Sequence, residues 1–287
     1  MKILLAVDGS DESQEAVGAL AGFAPADELT LLHVIHVPGL SYPTIGAGLA
    51  KDLSMAVEQA MREEGEEVLK RALANLPPHP GPITKRLEVG DPAEIILNVA
   101  KETQSDLIML GARGFGAFRE YMFGSVSHRV MLHAPCSTFI VKKAIPHIRD
   151  VLLPIERQED TEVAETFLAK HPFRESVTVK VLHAVPIYHS VWSTGIMIPE
   201  HVRKEMMAYA EELTGGLATK LQAQGYQTKA LAVKGMPVIR IEEEVKTSTP
   251  DLIMMRTHSR VGMSRFLLGS VSHSVVHHLA CSVLLLR

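Results

Sequence analysis

Two cysteines in 287 residues are too few for a disulfide framework, so the chain must hold its fold by burial and hydrogen bonding. No apolar run approaches the roughly 18 residues that a membrane-spanning helix requires. The first residues, MKILLAVDGS, carry one lysine and a short apolar run that ends at Asp8. They lack the length and the small-residue cleavage site of a signal peptide, and they read as a first β-strand. Excess basic charge is absent too: the formal net charge is −4, which argues against nucleic acid or an anionic membrane as partner. These absences together give the expectation of a cytoplasmic protein.

What the chain does have is enough apolar residues, 46%, for real cores, beneath an ordinary surface of 22% charged residues. Its length suits two domains. The two are copies of each other. Asp106-Leu107-Ile108-Met109 recurs 145 positions later as Asp251-Leu252-Ile253-Met254, and Gly124-Ser125-Val126-Ser127-His128 recurs as Gly269-Ser270-Val271-Ser272-His273. Val130, His133, Cys136 and Ser137 recur as Val275, His278, Cys281 and Ser282. A fixed register of this length marks a tandem duplication. The seam falls near Lys143–His147, which gives expected domains 1–144 and 145–287.

Each copy alternates strand and helix patterns, the mark of an α/β fold whose parallel strands are joined by right-handed crossovers. In the first copy, strands are expected at Lys2–Val7, Leu29–Val37, Ile83–Val89, Asp106–Leu110 and Thr138–Lys142. A long charged amphipathic helix is expected from about Leu49 to Leu76, after a glycine- and proline-rich loop from Pro38 to Gly48. The second copy repeats the plan, with its long helix from about Pro199 to Gln224.

The stretch Gly111–Ser125, GARGFGAFREYMFGS, is the most informative. It follows the apolar strand ending at Leu110 and precedes an apolar-periodic segment, Ser125-Val126-Ser127-His128-Arg129-Val130-Met131-Leu132, expected to be a helix capped by Ser125. A strand, a glycine loop and a helix N-terminus make an anion site, because free N–H groups and the helix dipole face outward and glycine admits a phosphate to the main chain. The loop is not a P-loop, since no Gly-Lys-Ser/Thr follows, and its spacing is not that of the GxGxxG fingerprint.

Gly111, two residues, Gly114, nine residues, then Gly124-Ser125 resembles the nucleotide-binding pattern of the universal stress protein family at every fixed position. The resemblance covers nearly the whole chain, twice. It implies two doubly wound open parallel sheets of strand order 3-2-1-4-5, the adenine nucleotide alpha hydrolase-like arrangement, with the ligand crevice between strands one and four. It implies ATP or another adenine nucleotide as ligand, alone or with Mg2+. By position it assigns Asp8 to the nucleoside, Val34 to adenine through its backbone, and Ala6 and Leu110 to the pocket lining. Gly111, Arg113, Gly114, Gly124, Ser125 and Val126 fall to the phosphates. It further implies pairing of fifth strands, here as an internal pseudo-dimer, and a homodimer of tandem chains.

Each residue also has a plainer reading. Asp8 suits a turn or helix cap, Ser125 an N-cap, Val34 the core, and Arg113 an exposed surface. The second copy departs from the pattern: Gly111 becomes Arg256 and Gly114 becomes Ser259, while the first strands align three residues further on, so that Asp8 becomes Glu156 and Gly9 becomes Arg157. Arg256, His258, Arg260 and Arg265 add cations there, yet the lost glycines make this the degenerate site. His273, His277 and Cys281 fall at i, i+4 and i+8, a spacing that permits zinc. Leu132 stands opposite His277 in the first copy, so no metal site is repeated, and these side chains are read as packing and surface residues.

The functional expectation is an ATP-binding stress-response regulator that holds nucleotide to set a conformation or an assembly with an unknown protein partner. The alternatives are a slow ATPase or adenylyl-transferring enzyme, and an interaction module that binds no nucleotide. Against the enzyme stand the lack of a general base or Mg2+ carboxylate pair beside the loop and the absence of His-Ile-Gly-His or Ser-Gly-Gly signatures.

Overall fold

A computed structural model describes residues 1–37, 47–79, 81–114, 123–143, 145–186, 198–257 and 269–287. The chain divides into two compact units, Met1–Leu20 with Pro25–Ala144, and Ala21–Ala24 with Ile145–Arg287.

In the first unit, β1 (Lys2–Val7) leads to α1 (Asp11–Ala19), β2 (Glu28–Ile35), α2 (Ala47–Ala74), β3 (Ile83–Val89), α3 (Pro92–Glu102), β4 (Leu107–Gly111), α4 (Ser125–His133) and β5 (Ser137–Val141). The second unit follows the same order with β6 (Asp150–Pro154), α5 (Gln158–Leu168), β7 (Thr178–Val185), α6 (Glu200–Ala223), β8 (Gln227–Lys234), α7 (Pro237–Ser248), β9 (Leu252–Arg256), α8 (Ser270–His278) and β10 (Ser282–Leu286). All pairings between the named strands within either unit are parallel. The strand order is β3-β2-β1-β4-β5 in the first unit and β8-β7-β6-β9-β10 in the second, so both are 3-2-1-4-5 in their own count.

Burial explains the choice of strands. Leu4 and Leu5 of β1, Ile108 and Met109 of β4, and Phe139 and Ile140 of β5 are wholly inaccessible, as a parallel strand covered on both faces requires. Each such side chain contributes roughly 1.5–3 kcal/mol of burial. β3 lies at the end of its unit's strand order and is written differently. Its ITKRLEV sequence carries Arg86, which pairs with Glu88 at 2.7 Å and Glu102 at 2.8 Å, the charged dressing expected of a strand flanked on one side only.

The repeated Asp-Leu-Ile-Met has a structural cause. Asp106 Oδ2 accepts the Lys2 N–H at 2.8 Å, and the Asp106 N–H donates to the Lys2 carbonyl at 2.9 Å. Asp251 does the same for the second copy, accepting from the N–H groups of Arg149 and Asp150 at 2.8 and 3.0 Å. Each aspartate therefore clamps the first strand of its unit to the start of the fourth. Because Asp106 serves Lys2 and Asp251 serves Asp150, the clamp also fixes the alignment of the two first strands.

Several boundaries move, β4 and β5 by one residue at each end and others by more. α2 starts at Ala47, inside the stretch expected to be loop, and β2 ends at Ile35, two residues early.

Candidate functional site

In the first unit the strand order reverses at β1, between β2 and β4, the place where a doubly wound sheet has its crevice. β1 pairs with β2 over its whole length, from Lys2↔Glu28 to Val7↔His33. Its pairing with β4 runs only from Ile3↔Leu107 to Leu5↔Met109. Beyond that point the two chains part, one toward α1 and the other toward the glycine loop and α4. Ala6 and Leu110 stand at this divergence and are buried, 8% and 4% exposed.

Asp8 is the first residue past β1. Its Oδ1 accepts from Ser10 N–H at 3.0 Å and from Ser10 Oγ at 2.5 Å. Ser10 in turn caps α1, taking the Ser13 N–H at 3.3 Å. The turn between them needs Gly9, at φ +82°. Asp8 Oδ2 faces Gly114: a Cβ on Gly114 would overlap that oxygen. A Cβ on Gly111 would come within 2.8 Å of the carbonyl carbon and oxygen of Glu12, on the first turn of α1. Close approach of main chain to main chain thus requires a glycine at Gly111, whereas at Gly114 the neighbour is the end of the Asp8 side chain. Arg113 stands between them, with Nε 3.0 Å from Glu12 Oε1.

The other wall is the start of α4. Here the expectation of a serine cap is corrected: Gly124 is the N-cap, at φ −66° and ψ 141°, and Ser125 is the first helical residue, exposed and making no cap bond. Gly124 N–H donates to the Ala112 carbonyl at 2.9 Å, and Ala112 N–H to the Val141 carbonyl at 2.7 Å, which stitches the helix entry to β4 and β5. A glycine cap supplies no side-chain acceptor for the first-turn N–H groups of Ser125, Val126 and Ser127. That leaves the positive end of the helix dipole facing the loop.

Ser127 is a residue that sequence reasoning passed over. Its buried hydroxyl donates to the Gly111 carbonyl at 2.7 Å and locks the end of β4 to the first turn of α4. The signal was present in the repeated Ser-Val-Ser, but a helical serine has no such meaning until the strand end is known to lie beside it. Farther in, His33 Nδ1 donates to the Val7 carbonyl at 2.7 Å. Val34, half-buried, has its Cα partner Glu88 on β3 and so stands a strand farther from the loop than Asp8 does.

The second unit rebuilds this corner. Glu156 does not take the place of Asp8, for its side chain is 61% exposed and lies 3.8 Å from Arg157. Arg157 is extended at φ −135° and caps α5, so the left-handed turn of Gly9 is gone. The work passes to Asp160, which is 2% exposed. Its Oδ2 accepts from the N–H groups of Glu156 at 2.8 Å and Arg157 at 3.0 Å. Its Oδ1 lies 3.4 Å from Nη1 of Arg256, the residue in the place of Gly111. A carboxylate of the chain itself therefore fills this corner, and the arginine neutralises it. Ser272, the counterpart of Ser127, bonds instead to the Gly269 carbonyl at 3.0 Å. His258, Ser259, Arg260 and Arg265 lie outside the described residues.

His273 and His277 lie on α8, but Cys281 does not share their helix. α8 ends at His278, so Cys281 is off the helix, and its buried thiol is within bonding distance of the Pro250 and Asp251 carbonyls at 3.4 and 3.6 Å. His273 and His277 stack with ring centroids 4.2 Å apart. Among the described residues no helix is long and apolar enough to cross a membrane.

Comparison with known proteins bears on the family and the fold. The model of the universal stress protein family matches residues 1–142 and again 147–287. Universal stress protein YxiE of Bacillus subtilis (strain 168) is 33% identical over 145 residues, which make up 49% of this chain and 98% of that one. Universal stress protein Rv2005c of Mycobacterium tuberculosis (strain ATCC 25618 / H37Rv) is 24% identical over 299 aligned positions, covering 99% of this chain and 96% of its own. Among solved structures, a universal stress protein from Archaeoglobus fulgidus DSM 4304 superposes with a TM-score of 0.64 at 18% identity, over 100% of this chain and 98% of that one. The chain belongs to the universal stress protein family, as a tandem of two family domains.

Proposed function

We propose that this protein is a stress-response regulator whose first copy binds ATP in the crevice beyond β1 and β4, and whose second copy does not. The observation that carries this reading is the close approach of the loop to the β1–α1 side, Gly111 against the Glu12 main chain and Gly114 against the Asp8 carboxylate, beside a helix end that a glycine caps. Such a corner suits a phosphate chain: the loop backbone can approach it closely, and the α4 N-terminus supplies N–H groups and partial positive charge. Asp8 faces the sugar, Ala6, Leu110 and Val34 border the base through their backbones, and Gly111, Gly114, Gly124, Ser125 and Val126 surround the phosphates. Mg2+, where it accompanies ATP, is held mainly by the phosphates themselves.

Holding rather than turnover fits the carboxylates of the site. Asp8 is engaged by Ser10, and Glu12 is engaged by Arg113, so neither is poised to activate a water. Nucleotide then acts by stabilising one conformation or one assembly of a cytoplasmic protein, with tandem chains associating as a homodimer. The test is to denature the purified protein and identify what is released by mass spectrometry. Adenine nucleotide in near-stoichiometric amount supports the reading; none released, together with no ATP binding in calorimetry, refutes it.

A further inference from the structure

The corner that would receive phosphate in the first copy already contains an anion of its own. Glu12 sits in the first turn of α1, and its main chain is what a Cβ on Gly111 would strike. Its carboxylate reaches the loop arginine, Arg113 Nε, at 3.0 Å. The pair is partly open to solvent, with side-chain exposures of 26% for Glu12 and 35% for Arg113. An ion pair so placed is weak and screened, and a competing anion of higher charge can take the arginine from it.

The second copy holds the same device in a closed form. Asp160 is the counterpart of Glu12 by the alignment that carries Asp8 to Glu156. It too meets an arginine at the loop, Arg256. It differs in being 2% exposed and in accepting two backbone N–H groups as well, so an incoming anion would have to displace it from those N–H groups and from the arginine. Buried and hydrogen-bonded, that carboxylate is costly to displace.

We infer that Glu12 is an internal competitor for the nucleotide's phosphates: it holds Arg113 when the site is empty and yields it when a polyphosphate arrives, thereby setting affinity and favouring ligands of high negative charge. This rests on the nucleotide reading given above. A monoanionic ligand does not outbid a carboxylate for one guanidinium, whereas a triphosphate presents several oxygens and three or four charges to it. The physical effect of Glu12 is twofold, since it both occupies Arg113 and places a like charge beside the loop.

The test is calorimetric titration of the full chain and of Glu12→Gln with ATP and, separately, with adenosine, which has no phosphate. Glu12→Gln should tighten ATP by about threefold to tenfold, less at high salt, as removal of one partly screened like charge predicts. Adenosine affinity should not change, whereas a merely structural effect of Glu12 on α1 would move both ligands alike. In an Arg113→Ala background the gain from Glu12→Gln should shrink. ATP binding by the wild-type chain with unchanged or weaker binding by Glu12→Gln overturns this inference and leaves the nucleotide reading standing. No ATP binding by the wild-type chain overturns both.

Discussion

Asp160 and Arg256 meet at 3.4 Å in the second unit, at the corner where the first unit has Glu12 beside Gly111. Arginine could replace the glycine because a carboxylate was placed to receive it, and the carboxylate could be buried because the arginine and two N–H groups satisfy it. The two substitutions make sense only together. They fill in the second unit a corner that a glycine keeps narrow in the first.

Asp160→Ala should therefore act on stability and leave nucleotide alone. It removes the acceptor of two backbone N–H groups and strands Arg256, a combined loss of roughly 2–4 kcal/mol. Urea unfolding should show the transition of the second unit at lower denaturant, while ATP stoichiometry stays as in the wild type. Unchanged unfolding would mean that the buried carboxylate contributes nothing.

Gly114→Val tests close approach in the first copy. Its side chain would press on Asp8 Oδ2 and on the space the phosphates need. ATP affinity should fall at least about tenfold, or ~1.4 kcal/mol, with the fold intact by circular dichroism. Equal affinity in a folded variant would remove the phosphates from this loop.

Ser127→Ala asks how much the strand-to-helix lock matters. The hydroxyl is buried and its loss leaves the Gly111 carbonyl without that donor, which costs about 0.5–1.5 kcal/mol. Thermal unfolding should shift down accordingly, with a smaller loss of ATP affinity as α4 loosens against the loop. Ser272→Ala, whose bond is local to its own helix end, should shift it less.

His183 gives a pH dependence. Burial pushes its imidazole below the ordinary 6.5, opposed by the nearby carboxylates of Glu156 and Asp160. A group whose folded pKa is depressed binds its proton more readily when unfolded, so stability falls as pH drops through the unfolded value near 6.5. The wild-type chain should lose more stability than His183→Gln between about pH 7.5 and 5.5. Parallel loss in the two would assign the acid sensitivity elsewhere.

Much of this was legible in the sequence. Fully buried strands such as Leu107–Gly111 declare themselves as apolar runs between an aspartate and a glycine, and a register of 145 declares the duplication. Glycine spacing pointed to the loop because close approach leaves a gap in side-chain volume that sequence records directly. The N-cap of α4 was misplaced by one residue, since Ser125 is chemically the better cap but Gly124 carries the extended backbone there. What stayed hidden was pairing. Glu12 with Arg113, and Asp160 with Arg256, lie about a hundred residues apart in the chain, and a charged residue's partner depends on which strand ends the fold brings together.

Asymmetry between the copies is the central claim, and equilibrium titration with ATP addresses it most directly, using the wild-type chain, Asp8→Ala and Glu156→Ala. Asp8 lies against the loop glycine, whereas Glu156 is mostly exposed and its corner is filled by Asp160. About one site per chain is expected, because the second copy has lost two loop glycines and their room for phosphate. Asp8→Ala should abolish most of the binding, and Glu156→Ala should change it little. Two equal sites per chain, or binding lost through Glu156→Ala alone, would contradict this asymmetry.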